Sequence, residues 1–180
     1  MPSSVTILGA GLAGSEAALQ LAARGIRVRL VEMRPAVPTP VHASGDCAEL
    51  VCSNSLKSTK PDSAAGMLKR ELEALGSFVF AAARRHAVPA GGALAVDRAA
   101  FSGAVTALVE EHPLIELVRA EARSVREAAA GADALVIATG PLTSDALAAD
   151  LARIAGADHL AFYDAAAPIV MADSLDRSKV

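Results

Sequence analysis

Residues 9–14 read GAGLAG. They follow a short β-rich run (5–8, VTIL) and open a stretch of helix formers (12–24) with an apolar stripe through Ala13, Ala17 and Leu21. Three glycines at this spacing have separate tasks. Gly9 permits a tight turn, Gly11 lets a pyrophosphate approach the backbone, and Gly14 lets the helix pack close to the sheet. The helix N-terminus adds free N–H groups and a partial positive charge. Gly25 is a natural helix stop, and residues 27–31, RVRLV, alternate and then turn apolar as a second strand would. Glu32 closes that strand eighteen residues past Gly14. An acid there accepts hydrogen bonds from the ribose hydroxyls of an adenosine. The plainer alternative is a glycine-rich turn in an ordinary β-α-β unit. The preceding strand, the helix that follows and the placed acid together favour a dinucleotide site. Glu32 repels a 2′-phosphate, which points to FAD or NAD rather than NADP.

The rest of the chain keeps alternating. Residues 33–48 carry Pro35, Pro38, Pro40 and Gly45 and read as a loop without regular structure. Helices are predicted over 63–75, stopped by Gly76, over 98–111, ended before Pro113, and over 144–154. Residues 88–96 are glycine-rich and then strand-like. Residues 114–118 and 122–125 read as strands or a meander, 134–138 as a short buried strand, and 160–163 as a last strand. Strand–helix alternation of this kind predicts an α/β fold, a Rossmann-like domain with a mostly parallel sheet. The strand 134–138 runs into Ala138-Thr139-Gly140. That feature resembles the flavoproteins of the two-dinucleotide-binding type, and it favours FAD over NAD.

Composition removes several functional classes. Aromatic residues make up 3% of the chain and there is no Trp, which speaks against a broad base-stacking surface. The net charge of −3 excludes polyanion binding by bulk charge. Locally, residues 57–86 set Lys57, Lys60, Lys69, Arg70, Arg84 and Arg85 against Asp62, Glu71 and Glu73, an excess of three positive charges. That segment is either a phosphate-receiving patch or a solvated helix face of mixed charge. No apolar run reaches the ~18–20 residues of a membrane span. The first residues lack the basic start of a signal peptide, so a cytoplasmic enzyme or enzyme portion is expected. His42, His86, His112 and His159 are scattered; His112 reads as a helix-end residue favoured by the dipole.

Cys47 and Cys52 stand in CAELVC. Their spacing is that of a flavin-linked dithiol, but the glycine-rich surroundings of such a motif are missing and Ser53-Asn54-Ser55 follows instead. With His42 they give too few ligands for a metal at any familiar spacing. Simple packing of a free cysteine is the third option.

Longer stretches weigh on that choice. GAGLAGSEAA, VRLVEMRP, ELVCSNSL, VPAGGALAVDR, IATGPLTSDAL and FYDAAAPIV occur together and in order. In these the chain closely resembles the folate- and FAD-dependent tRNA (uracil-5-)-methyltransferases, the TrmFO family, from about residue 5 to its end. It is more distantly similar to the flavoproteins that modify the tRNA wobble uridine. The resemblance implies that NAD(P)H reduces bound FAD and that 5,10-methylenetetrahydrofolate donates a one-carbon unit. It implies a T-loop uridine of tRNA as the acceptor, and neither a metal nor a membrane as partner. It implies cofactor contacts at Gly9, Ala10, Gly11, Leu12, Ala13, Gly14, Glu32, Met33, Arg34, Asn54, Thr139 and Gly140, with Ser53 helping to shape the pocket. It makes Cys52 the working thiol beside the flavin and leaves Cys47 a loop residue. Members of this family are longer, with an inserted lobe and a returning segment. Residues 1–180 are therefore expected to be the N-terminal part of one FAD-binding domain, apparently truncated, without methyl transfer of its own. A dithiol oxidoreductase using Cys47 and Cys52 and a non-catalytic FAD-binding module are the alternatives.

Overall fold

A computed structural model of the protein describes residues 2–156. The chain runs β1 (Ser4–Leu8), α1 (Leu12–Ala22), β2 (Arg27–Glu32), β3 (Ser55–Ser58), α2 (Ala64–Ala74) and α3 (Phe78–Arg85). It continues through β4 (Ala87–Val88), β5 (Ala93–Val96), α4 (Arg98–Glu110), β6 (Ile115–Arg119), α5 (Val125–Ala129) and β7 (Ala134–Ile137). A 3-10 turn (Gly140–Leu142) then leads into α6 (Asp145–Ala155). β1 pairs in parallel with β2 on one side and β7 on the other, and β6 adds to the outer edge of β2. The sheet order β6-β2-β1-β7 is that of a Rossmann-like α/β unit. A small antiparallel sheet, β3-β5-β4, stands beside it.

The alternation in β2 sorts the two faces of the parallel sheet. Val28 and Leu30 are buried with Val5 and Ile7 against Ala18, Leu19 and Ala22 of α1 and Phe101, Val105 and Val109 of α4. On the opposite face Leu8 and Val31 meet Ala128 of α5 and Leu147 of α6 in a smaller cluster. The alanine-rich face of α1 brings that helix close to the strands. No helix among the described residues is long and apolar enough to cross a membrane.

α3 departs from the expectation, which placed no element over 78–85. Its N-terminus is tied down from another helix. The Glu16 carboxylate of α1 accepts hydrogen bonds from Ser77 Oγ (2.9 Å), the Phe78 N–H (3.2 Å) and the Val79 N–H (2.8 Å). Ser77 Oγ in turn accepts from the Phe80 N–H. A capping bond contributes about 1 kcal/mol, and a charged acceptor somewhat more. Glu16→Ala is expected to destabilise the fold by about 1–2 kcal/mol, seen as a lower urea midpoint. An unchanged midpoint would show that α3 holds without this cap.

Three further expectations change. Residues 122–125 form no strand. Ser124 Oγ accepts from the Glu127 N–H and starts α5, a Ser-x-x-Glu start signal that outweighs the β-branched Val125 beside it. β7 is not buried: among the described residues it pairs only with β1, which makes it the edge of the described sheet, and Val136 and Ile137 are 36% and 40% exposed. Cys47 lies in a turn, as a loop residue should, yet its side chain is part of the main core and fully buried. The expected strand over 160–163 lies outside the described residues.

Candidate dinucleotide site

The GAGLAG turn joins β1 to α1 with no room to spare on its inner side. Gly9 has φ +92° and donates its N–H to Val31 O at 2.8 Å. A Cβ on Gly9 would come within 2.7 Å of Ala138 O, and one on Gly14 within 1.8 Å of Gly9 O. The outer side is the reverse: a Cβ on Gly11 would meet nothing within 4 Å. Gly11 is the N-cap of α1, without a side-chain cap or an acid in the first turn. The first N–H groups of α1 thus face open space, which is where an anion is held.

A cleft of about 270 Å³ opens over this turn. It lies beyond the carboxyl ends of β1, β2, β6 and β7, the place where parallel α/β sheets bind ligands. Its walls are the turn itself, the end of β2 with Met33 and Arg34, parts of the loop from Thr39 to Val51, residues 120–122, and residues 138–144.

Glu32 lies at the junction of cleft and core. One carboxylate oxygen, Oε2, accepts the Ala10 N–H at 2.8 Å; the other, Oε1, accepts Arg34 Nε at 2.8 Å and the Arg34 N–H at 3.0 Å. Burial opposes its charge, but the hydrogen bonds from Arg34 and Ala10 outweigh burial and hold the carboxyl below its usual range. A carboxylate has about four lone-pair sites, so capacity remains on the cleft side. Arg34, only 3% exposed, also donates Nη1 to Glu49 Oε2 at 3.0 Å and Nη2 to Asp46 O at 3.2 Å. Glu49 accepts the N–H groups of Ala43 and Ser44 besides, and these bonds hold its carboxyl below the usual range against the cost of burial. Arg119, at the end of β6, donates to Arg34 O and to Gly45 O. Two arginines thereby tie the proline-rich loop to the ends of the strands.

The predicted site residues divide accordingly. Gly9, Gly11, Leu12, Ala13, Glu32, Met33, Arg34, Thr139 and Gly140 all line the one cleft. Ala10 and Gly14 lie beneath it. Ala10 is fully buried, with its carbonyl accepting the Ala48 N–H and Ser15 Oγ, and Gly14 packs on Gly9. Asn54 is turned away: its side-chain amide donates to Val96 O at 3.2 Å in the antiparallel sheet. Cys52 is exposed, one residue beyond Val51, which does line the cleft. Both cysteines are free, and burial pushes the Cys47 thiol up, away from the thiolate that exchange chemistry needs. In the basic segment, Arg84 is paired with Glu73. Glu49 and Arg119 were not foreseen, because their partners lie up to 85 residues away. For Glu49 the only signal was a charge just after a proline-rich loop, and for Arg119 a charge at the end of a strand.

Comparison with known proteins places this geometry. Residues 4–180 match the family model of glucose inhibited division protein A. The methylenetetrahydrofolate–tRNA-(uracil-5-)-methyltransferase TrmFO of Geobacter sulfurreducens is 58% identical over 180 residues, all of this chain and 40% of that protein. The proteins of the same name from Bacillus subtilis and Desulfitobacterium hafniense are 54% and 53% identical over 177 residues, 98% of this chain and 40% of each. The chain spans about 40% of the length of these relatives.

Proposed function

The chain belongs to the glucose inhibited division protein A family, and on that premise we propose that it is the FAD-binding portion of a methylenetetrahydrofolate-dependent tRNA (uracil-5-)-methyltransferase. Residues 1–180 are taken as one FAD-binding domain, with a T-loop uridine of tRNA as the methyl acceptor and NAD(P)H as the reductant. The observation that carries this is identity above 50% to TrmFO proteins across at least 98% of the chain. It is supported by a cleft whose residues suit an adenine dinucleotide.

The fit to FAD rests on three features. The uncapped start of α1 offers N–H groups to a pyrophosphate, and the bare face of Gly11 lets it come close. Glu32 keeps its negative charge and accepts from ribose hydroxyls, while that charge disfavours a 2′-phosphate. Met33 and residues 120–122 wall the end of the cleft beyond Glu32, opposite the glycine turn, and leave the adenine there. When bound, FAD supplies a redox-active ring that passes electrons from NAD(P)H to the one-carbon chemistry. Cys52, exposed next to the cleft wall, is the candidate for the thiol working beside that ring. Asn54 supports this rim from below by bridging to β5 rather than by facing the cofactor.

The visible spectrum of the purified protein tests the reading. Flavin bands, with FAD released on denaturation or taken up on addition, are the expected result. A colourless protein that binds no added FAD would overturn it.

A further inference from the structure

His42 is a half-buried residue of the proline-rich loop and lines the cleft together with Glu32, Arg34 and Glu49. Its Nδ1 lies 2.6 Å from Thr39 Oγ1, and that same oxygen accepts the His42 backbone N–H at 3.3 Å. A hydroxyl has one proton and two lone pairs. With one lone pair engaged by the backbone, Thr39 can either give its proton to Nδ1 or accept from an Nδ1–H with its second lone pair. In the first arrangement the ring proton resides on Nε2. Burial first, and next the charge of Arg34, push His42 below the usual imidazole value, against the opposite pull of Glu49 and Glu32. The ring is therefore neutral at pH 7. Among the described residues the hydrogen bonds of this ring run through Nδ1 alone, so in that arrangement a neutral Nε2–H donor is left unused on a residue that lines the cleft.

Its neighbours decide what that donor can meet. Glu32, Arg34 and Glu49 together carry one net negative charge, so a phosphate or carboxylate brought here is repelled, whereas a hydroxyl is not. The Glu32 carboxylate can only accept. A diol bound against it donates a proton and keeps oxygen lone pairs in need of a donor. We propose that His42 and Glu32 form a donor–acceptor pair that reads the 2′,3′-diol of the adenosine ribose, with the remaining lone pair of Glu32 accepting from one hydroxyl and His42 Nε2–H donating to the diol. This rests on the dinucleotide reading of the cleft. It gives the loop a direct part in choosing ribonucleotides, beyond the role of a wall.

Calorimetric titration of the purified protein with ADP, 2′-deoxy-ADP and 3′-deoxy-ADP tests the pair, in the wild type and in His42→Ala and His42→Gln. A neutral hydrogen bond of ordinary strength predicts that His42→Ala weakens ADP about fivefold. With the analogue lacking the hydroxyl that His42 reads, the same substitution has no effect. His42→Gln, which keeps an N–H donor at similar reach, recovers most of the loss. If His42→Ala does not fold, His42→Asn is compared with His42→Gln, since its shorter amide loses the contact. Equal ADP affinity in wild type and variant overturns the proposal. So does an equal loss with ADP and both deoxy analogues, which would place His42 on another part of the ligand. A wild type that binds neither ADP nor FAD fails earlier, at the dinucleotide reading itself, and takes the pair with it.

Discussion

Arg34→Ala is expected to cost about 3–5 kcal/mol, because it strands buried carboxylates whose cation has been removed. Against a total stability of about 5–15 kcal/mol, that leaves a protein close to unfolding at neutral pH. Glu32 bears most of the change: it loses the bond to Arg34 Nε and keeps only the N–H groups of Ala10 and residue 34. The pH dependence separates this cause from a mere packing loss. In the wild type Glu32 and Glu49 have lowered values. Their contribution is therefore fully present above the unfolded carboxyl value of about 4.3 and is lost as pH falls through the folded values. In the variant, burial without a cation raises Glu32 above its unfolded value, so the carboxylate becomes a liability that protonation removes. Relative to the wild type, which itself loses some stability below about pH 6.5 through the lowered His42 value, Arg34→Ala should gain stability as pH is lowered from 7 towards 5. Urea titrations at several pH values read this directly. The double variant Glu32→Gln, Arg34→Met should recover a large part of the loss, since the more deeply buried carboxylate is then neutral while Glu49 keeps its bonds from Ala43 and Ser44. A single variant with wild-type midpoint and unchanged pH profile would mean that water, rather than Arg34, satisfies Glu32.

The second large effect belongs to one methyl group. Gly14→Ala places a Cβ 1.8 Å from Gly9 O and 3.0 Å from Gly9 C. Both are backbone atoms of a turn that is itself pressed against Ala138 and Thr139, so no side chain can swing aside. Either α1 retreats from the sheet or the turn opens, and overpacking of this kind costs about 1–3 kcal/mol or more. The same movement displaces the N–H groups of the first turn, so dinucleotide binding should fall at least about a hundredfold, a loss near 3 kcal/mol. Gly11→Ala is the matched control. Its Cβ meets nothing, so thermal stability should be near wild type while binding alone suffers, because the methyl occupies the approach of the phosphates. Equal stability losses at both positions would contradict this division of labour between the two glycines. A Gly14→Ala protein that melts normally would contradict the contact itself.

The β1-α1-β2 unit was legible because its signals are local: a strand, three glycines at fixed spacing, and an acid at the end of the next strand. The caps at Ser63 and Asp97 were within reach for the same reason, since each accepts from an N–H three residues on. α3 was not, because what fixes its start is a carboxylate sixty-one residues upstream in sequence from Ser77. The exposure of β7 could not be read from ALVI, which suits a central strand as well as an edge; only the pairing partners decide. Cys47 illustrates the same limit within the site. Its loop address was visible, but its depth depends on the approach of α4, where Thr106 Oγ1 accepts the Cys47 N–H at 2.8 Å. Nine of the predicted cofactor residues meet in one cleft because strand ends gather by topology. Asn54 does not join them, since a short antiparallel pairing claims its amide first.

The two arginine clasps on the proline-rich loop also bear on the entropy of binding. Arg34 grips Glu49, Ser44 O and Asp46 O from within, and Arg119 holds Arg34 O and Gly45 O from the strand side. A segment of that length left loose would have to be ordered by its ligand, and immobilising each side chain would subtract about 0.5–1.5 kcal/mol from the affinity. Here the ordering is done by folding, through hydrogen bonds and ion pairs made within the chain. An arriving nucleotide meets a wall already in place, and its contact energy goes into affinity and choice rather than into shaping the site.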